Sequence, residues 1–262
     1  MSIRIENPLP KAALQFLRRC YRFVSHEWQH AAREPLPDQG FEERFRESCV
    51  IHLTGWNVAP EREMHLGSAL DTASGMSHEV DIVCQCQDVI AVLEIKNRPA
   101  TPPEKNDVIV FFAKLLDYLA LNSTLLLKEV CPAFMSSITF EEGGLAACLG
   151  LGIHPIAPGL RPLPILVENA RLIDIELQKG VIIAPELREE CGDFCANLNR
   201  LSVTLSDTWL SSRCGYQSER TIVLRAVERL ETVTLARELR RLNGDCERLL
   251  DRVKKAKSES LA

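Results

Sequence analysis

The feature that most constrains this chain is a pair of apolar, β-branched runs, HEVDIVCQC over 78–86 and VIAVLEIKN over 89–97, separated only by Gln87-Asp88. Two such runs joined by two residues predict a tight antiparallel hairpin. Asp81 interrupts the first run; Glu94 and Lys96 interrupt the second. Side chains alternate faces along a strand, so Glu94 and Lys96 point one way and Ile95 the other. Pairing through Gln87-Asp88 brings Asp81 beside Glu94. The run Ile90–Leu93 reads as a central, buried strand. Two carboxylates and an ammonium at the ends of buried strands are costly without partners, and the simplest partner is a divalent cation. Carboxylates are hard ligands that suit Mg²⁺ or Mn²⁺. Such a cation polarises a phosphodiester and lowers the pKa of a bound water. A nearby ammonium orients that water and offsets developing charge. The competing reading of Glu94 and Lys96 is a surface ion pair on an edge strand.

The rest of the chain frames the hairpin. Leu14, Leu17, Tyr21, Val24, Trp28 and Ala31 predict one helix over 10–34, with Arg18, Arg19 and Arg22 on its solvated side. Phe41, Phe45, Cys49 and Leu53 predict a second helix over about 40–54, ended by Gly55. A strand is expected over 56–66, a helix over 106–121, a strand over 133–140, a helix over 141–152 and a short strand over 153–158. The order α-β-β-β-α-β-α-β predicts an α/β layer. Leucine-rich stripes after residue 187, with a turn at Ser211–Tyr216, predict a long helical hairpin. Three regions follow: an N-terminal helix over 1–37, an α/β core over 38–170 and a C-terminal helical hairpin over 171–262.

Composition sets outer bounds. At 262 residues, 46% apolar and 26% charged, the chain is ordinary globular material. No apolar run is long enough for a membrane span, and the start lacks the apolar segment of a signal peptide. A cytoplasmic location is the expectation. The net charge of −5 argues against a generally basic nucleic-acid coat; the C-terminal arm is mildly basic. Ten scattered cysteines with no CxxC pair read as buried thiols rather than as a disulfide or zinc framework.

Asp81, followed after twelve intervening residues by Glu94-Ile95-Lys96 on the next strand, resembles the PD-(D/E)xK nuclease superfamily, whose core is the restriction-endonuclease-like fold. Phe41-Glu42 with Phe45, on the helix before the strands, resembles the first motif of Mrr-type restriction domains and archaeal Holliday-junction resolvases. The resemblance covers about residues 38–160. It implies a mixed sheet flanked by helices, with Asp81, Glu94 and the Ile95 carbonyl as metal ligands, Lys96 as the catalytic lysine and Glu42 as the helix acid, with Glu43 as the other choice. It further implies Mg²⁺ or Mn²⁺ as cofactor, nucleic acid as substrate (DNA before RNA) and a homodimer through the C-terminal helices. Val80 stands where the family has proline. The glutamine that some members carry after the lysine is absent, and Lys105, Asn106 or Lys114 could substitute.

Glu79 shares the face of Asp81 and is a further candidate acid. Glu61 and Glu63 alternate on the expected first strand. His78 adjoins the motif as a substrate contact or a plain loop histidine. His52 and His154 read as core or surface residues. The expectation is a metal-dependent endonuclease; the alternative is a catalytically inactive nuclease-like module that works through its C-terminal helices.

Overall fold

In the computed structural model, residues 9–28, 38–59, 65–66, 74–98, 100–121, 129–178, 184–218 and 229–261 are described. Helix α1 (Lys11–Arg22) passes into a π-helical turn, Phe23–Glu27. Helix α2 (Asp38–His52) and strand β1 (Asn57–Val58) follow. Strands β2 (His65–Leu66) and β3 (His78–Glu79) pair with each other as a separate two-stranded ribbon. Then come β4 (Ile82–Cys86), β5 (Val89–Lys96), α3 (Lys105–Leu121), β6 (Glu129–Ser136), α4 (Glu142–Gly150) and β7 (His154–Ile156). Three helices close the chain: α5 (Leu163–Gln178), α6 (Pro185–Ser218) and α7 (Arg229–Leu261).

The main sheet runs β1-β4-β5-β6-β7. The β1–β4 and β4–β5 pairs are antiparallel; the β5–β6 and β6–β7 pairs are parallel. The molecule is therefore an α/β protein built on a mixed five-stranded sheet flanked by helices. Each face of the sheet carries its own core. Along β5, Val89, Ala91, Leu93 and Ile95 enter the layer of α1 and α2, whereas Ile90 and Val92 enter the layer of α3 to α7. Burial of both faces explains why this strand is almost wholly apolar.

Several expectations are corrected. The strand predicted over 56–66 is two short strands in different sheets. The strand predicted over 78–86 breaks at Val80–Asp81, where the Asp81 carboxylate takes the Ile95 N–H that ladder pairing would otherwise use. The sixth strand begins at Glu129 rather than 133. It tolerates Pro132 because β7 pairs only with Ala133–Met135, leaving one side of β6 open there. Arg19 is buried and paired with Glu27 rather than solvated.

The C-terminal region differs most. The boundary expected at 170/171 falls inside α5, whose Leu166, Val167, Ala170 and Ile173 are buried. Residues 211–216, expected to turn, continue α6; the link onward to α7, with Val223, lies outside the described residues. Leu239, Leu242, Cys246, Leu249 and Val253 of α7 join the sheet's own core. Arg237 pairs with Glu142, Arg248 and Arg252 with Glu190, and Lys257 with Glu176. These helices are fastened to the α/β layer rather than projecting from it.

The cysteines agree with the thiol reading: among the described residues nine are free, and all but the half-buried Cys86 are buried. No described helix is long and apolar enough to cross a membrane.

Candidate active site

The site begins with the hairpin. Cys86 pairs with Val89 and Ile82 with Leu93, so the turn is Gln87-Asp88 and Asp81 lies across from Glu94. Gln87 carries the turn's positive φ, at 51°.

Glu94 follows Ile90 and Val92 on the face that packs under α3, and only 5% of it is exposed. A carboxylate there requires charged partners. It has two: Lys96 Nζ lies 2.8 Å from Oε1, and Lys114 Nζ of α3 lies 3.4 Å from Oε2. Lys114 also donates to the Glu79 carbonyl at 2.9 Å, which ties α3 to β3. Val108, Phe111 and Leu115 bury the apolar face of α3 and so fix where Lys114 reaches.

Asp81 is half-buried, and Oδ2 accepts the Ile95 N–H at 2.5 Å. Burial first, and the Glu94 charge second, push its carboxyl up to about 7. The Ile95 N–H and Lys96 oppose that rise, while Glu42 adds to it. Glu42 is thus within electrostatic reach of Asp81. Its helix is held by flanking aromatics: Phe41 and Phe45 meet the Phe23 ring at 5.3 and 5.0 Å. Glu42 is half-buried and Glu43 is exposed, so of the two it is Glu42 that lies nearer the protein interior.

The structure places Asp81 across from Glu94 and its Lys96 partner, with Asp81 on the Ile95 N–H, Glu42 within electrostatic reach of Asp81, and the Ile95 side chain buried on the opposite face. Of the three residues weighed in place of the missing glutamine, Lys114 reaches the site; Lys105 and Asn106 are exposed at the start of α3. The Glu79 side chain is exposed, and its backbone carbonyl is what takes part. Glu61 and Glu63 lie outside the described residues. His52 is exposed and His154 buried, both apart from the hairpin carboxylates in sequence and on other elements.

Sequence reasoning passed over Asp117. It accepts the Ser74 N–H at 2.6 Å, binds the Ser74 hydroxyl and lies 2.5 Å from His78 Nε2. These bonds hold its carboxyl below the usual range. The signal available was spacing: Asp117 stands three residues after Lys114, on the same side of α3.

The chemistry of the donors suits a hard divalent cation: buried, mutually repelling carboxylates favour any added positive charge, a proton or a metal. As the side chains stand, no cage is closed; among the described residues no group of three or more His, Cys, Asp or Glu is gathered around one point. The positive charge present is supplied by Lys96 and Lys114. Comparison of the chain with family models, with curated proteins and with solved structures finds no match.

Proposed function

We propose that the protein is a metal-dependent nuclease that hydrolyses phosphodiester bonds, with DNA as its substrate and a restriction-endonuclease-like core. The observation that carries this reading is the Asp81 carboxyl, driven up by burial and by Glu94, in a site that also holds Lys96 and Glu42. The antiparallel β4–β5 hairpin followed through α3 by the parallel strand β6 supports the core assignment.

Asp81, Glu94 and the Ile95 carbonyl would hold Mg²⁺ or Mn²⁺, with Glu42 completing the acidic surround. Bound there, the cation would polarise the scissile phosphate and acidify a water. Lys96 keeps its ammonium on Glu94, where it offsets charge developing on the phosphoryl oxygens. Lys114 supplies a second ammonium from α3 and anchors the strand before Asp81. This reading places phosphate contacts at Lys96 and Lys114, the cations that lie against the buried Glu94.

The test is incubation of the purified protein with plasmid, linear duplex, single-stranded DNA and RNA, in Mg²⁺, Mn²⁺ or EDTA, beside Lys96→Ala. Cutting that needs metal and is lost in the variant is the expected result. Cutting that persists in EDTA or in Lys96→Ala overturns the reading.

One observation favours a second reading, an inactive nuclease-like binding module: both Glu94 oxygens are already met by lysines. It predicts neither cleavage nor Mn²⁺ binding.

A further inference from the structure

Two lysines hold the buried Glu94 carboxylate, and they hold it unequally. Lys96 Nζ stands 2.8 Å from Oε1, a normal length for a charge-assisted hydrogen bond. Lys114 Nζ stands 3.4 Å from Oε2, longer than the ordinary range for such a bond. The two lysine side chains are equally exposed, at 24%, so burial does not set them apart. What does is the second bond of Lys114, to the Glu79 carbonyl at 2.9 Å.

That second bond decides which lysine can leave. Lys114 taken off Glu94 keeps a backbone acceptor, and its exposed part is open to water, so no ammonium is stranded. Lys96 has Glu94 as its one described ion-pair partner. The Glu94 side chain is almost wholly buried, and a carboxylate so placed is costly without a positive partner. In the chain by itself Lys96 and Lys114 fill that role. Two cations on one carboxylate oxygen repel each other, so a cation entering at Oε2 meets Lys114 as a competitor.

We propose that Lys114 is an exchangeable internal counter-ion of the carboxylate site. It neutralises Glu94 at Oε2 and yields that oxygen to an incoming divalent cation, staying on the Glu79 carbonyl while Lys96 keeps Oε1. This rests on the nuclease reading and extends it to the regulation of its site. Lys114 keeps the buried carboxylate paired before a cation arrives, and it weakens cation binding by the strength of its own contact. No covalent bond is made or broken, and the ammonium keeps its protons throughout.

Calorimetric titration of Mn²⁺ into wild type, Lys114→Met and Lys105→Met tests the exchange. Lys105→Met removes the same charge from an exposed position on α3, about two and a half turns away, and controls for long-range charge. The expected result is a Kd for Mn²⁺ about tenfold lower in Lys114→Met than in wild type, the weight of one contact to a charged group. Lys105→Met should bind like wild type. An unchanged or higher Kd in Lys114→Met overturns the inference, and so does an equal gain in Lys105→Met.

Should Lys114→Met fail to fold, a crystal structure of the wild-type protein with Mn²⁺ decides. Mn²⁺ at the carboxylates with Lys114 Nζ out of bonding reach of Glu94 supports the exchange. Lys114 Nζ still on Oε2 beside bound Mn²⁺ overturns it. The two levels of the account fail differently. Wild type that binds Mn²⁺ beside a Lys114→Met protein that binds it no tighter overturns this inference alone. No Mn²⁺ binding by either protein overturns the nuclease reading beneath it as well.

Discussion

Asp81 lies across the β4–β5 hairpin from Glu94, and the Glu94 charge reinforces burial in pushing the Asp81 carboxyl up to about 7. The two residues are thirteen positions apart, and a two-residue turn brings them together. Their mutual repulsion costs stability in the folded chain, and under the nuclease reading it is what would draw a cation to the site.

The pH dependence of stability follows from that shift. A carboxyl whose folded pKa is raised from the ordinary 3.8 to about 7 binds its proton more tightly when folded. Its contribution is most favourable below the unfolded value and is lost as pH rises through the folded one. Wild-type stability should therefore fall between about pH 4 and pH 7 by about 1–3 kcal/mol from this group. Asp81→Asn keeps an oxygen for the Ile95 N–H and removes the charge. Urea denaturation at pH 5 and pH 8 should show the variant nearly level and, at pH 8, more stable than wild type. A wild-type protein equally stable at both pH values, matched by Asp81→Asn, would contradict the buried-carboxyl account.

Lys114 is half-buried and should matter to the site as well as to the packing of α3. Lys114→Met leaves Glu94 with Lys96 as its one ammonium and unties the Glu79 carbonyl. Breaking one arm of a buried charge cluster costs about 1–3 kcal/mol. The variant should also lose at least about tenfold in cleavage, as for removal of one electrostatic contact. Unchanged stability and cleavage would place Lys114 outside the site.

The position of α3 depends on a close approach elsewhere. A Cβ at Gly144 of α4 would fall 2.3 Å from the Pro103 carbonyl oxygen, in the loop that leads into α3. Backbone cannot yield as a flexible side chain would. Gly144→Ala should lower stability by about 2 kcal/mol or more and weaken whatever the Lys114 side of α3 does. A melting temperature equal to wild type would mean that the loop moves freely.

The C-terminal helix is part of the α/β unit. Leu239 is fully buried in the core shared with Phe134 and Val92. Leu239→Ala should destabilise the whole protein by about 2–5 kcal/mol in one cooperative transition. Separate melting of a C-terminal unit would contradict the shared core.

What was legible in the sequence was local. The hairpin, its Gln87-Asp88 turn and the facing of Glu94 with Lys96 follow from a period of two and a two-residue connection. Helix α2 and its Glu42 follow from Phe41 and Phe45 one turn apart. The bend at Asp81 was not legible, because a side chain there replaces a backbone partner in the ladder. The start of β6 was hidden by Pro132, which is tolerated only because β7 is short. Asp117 and Lys114 acquire roles through the packing of α3 on the sheet, which no window of sequence contains. The C-terminal stripes were read as a helical hairpin; where described, the two helices pack on each other and also on α4 and α5 within the sheet's core. The turn expected near Gly215 gave way to continued helix, since one glycine costs a helix only about 1 kcal/mol.

The central claim is that Asp81 and Glu94 stand together to take a divalent cation, and calorimetric titration with Mn²⁺ near pH 8 tests it most directly. Wild-type protein should bind at one class of site, and Asp81→Asn and Glu94→Gln should each abolish that binding while remaining folded. No Mn²⁺ binding by wild type, or binding that both variants retain, would contradict the claim.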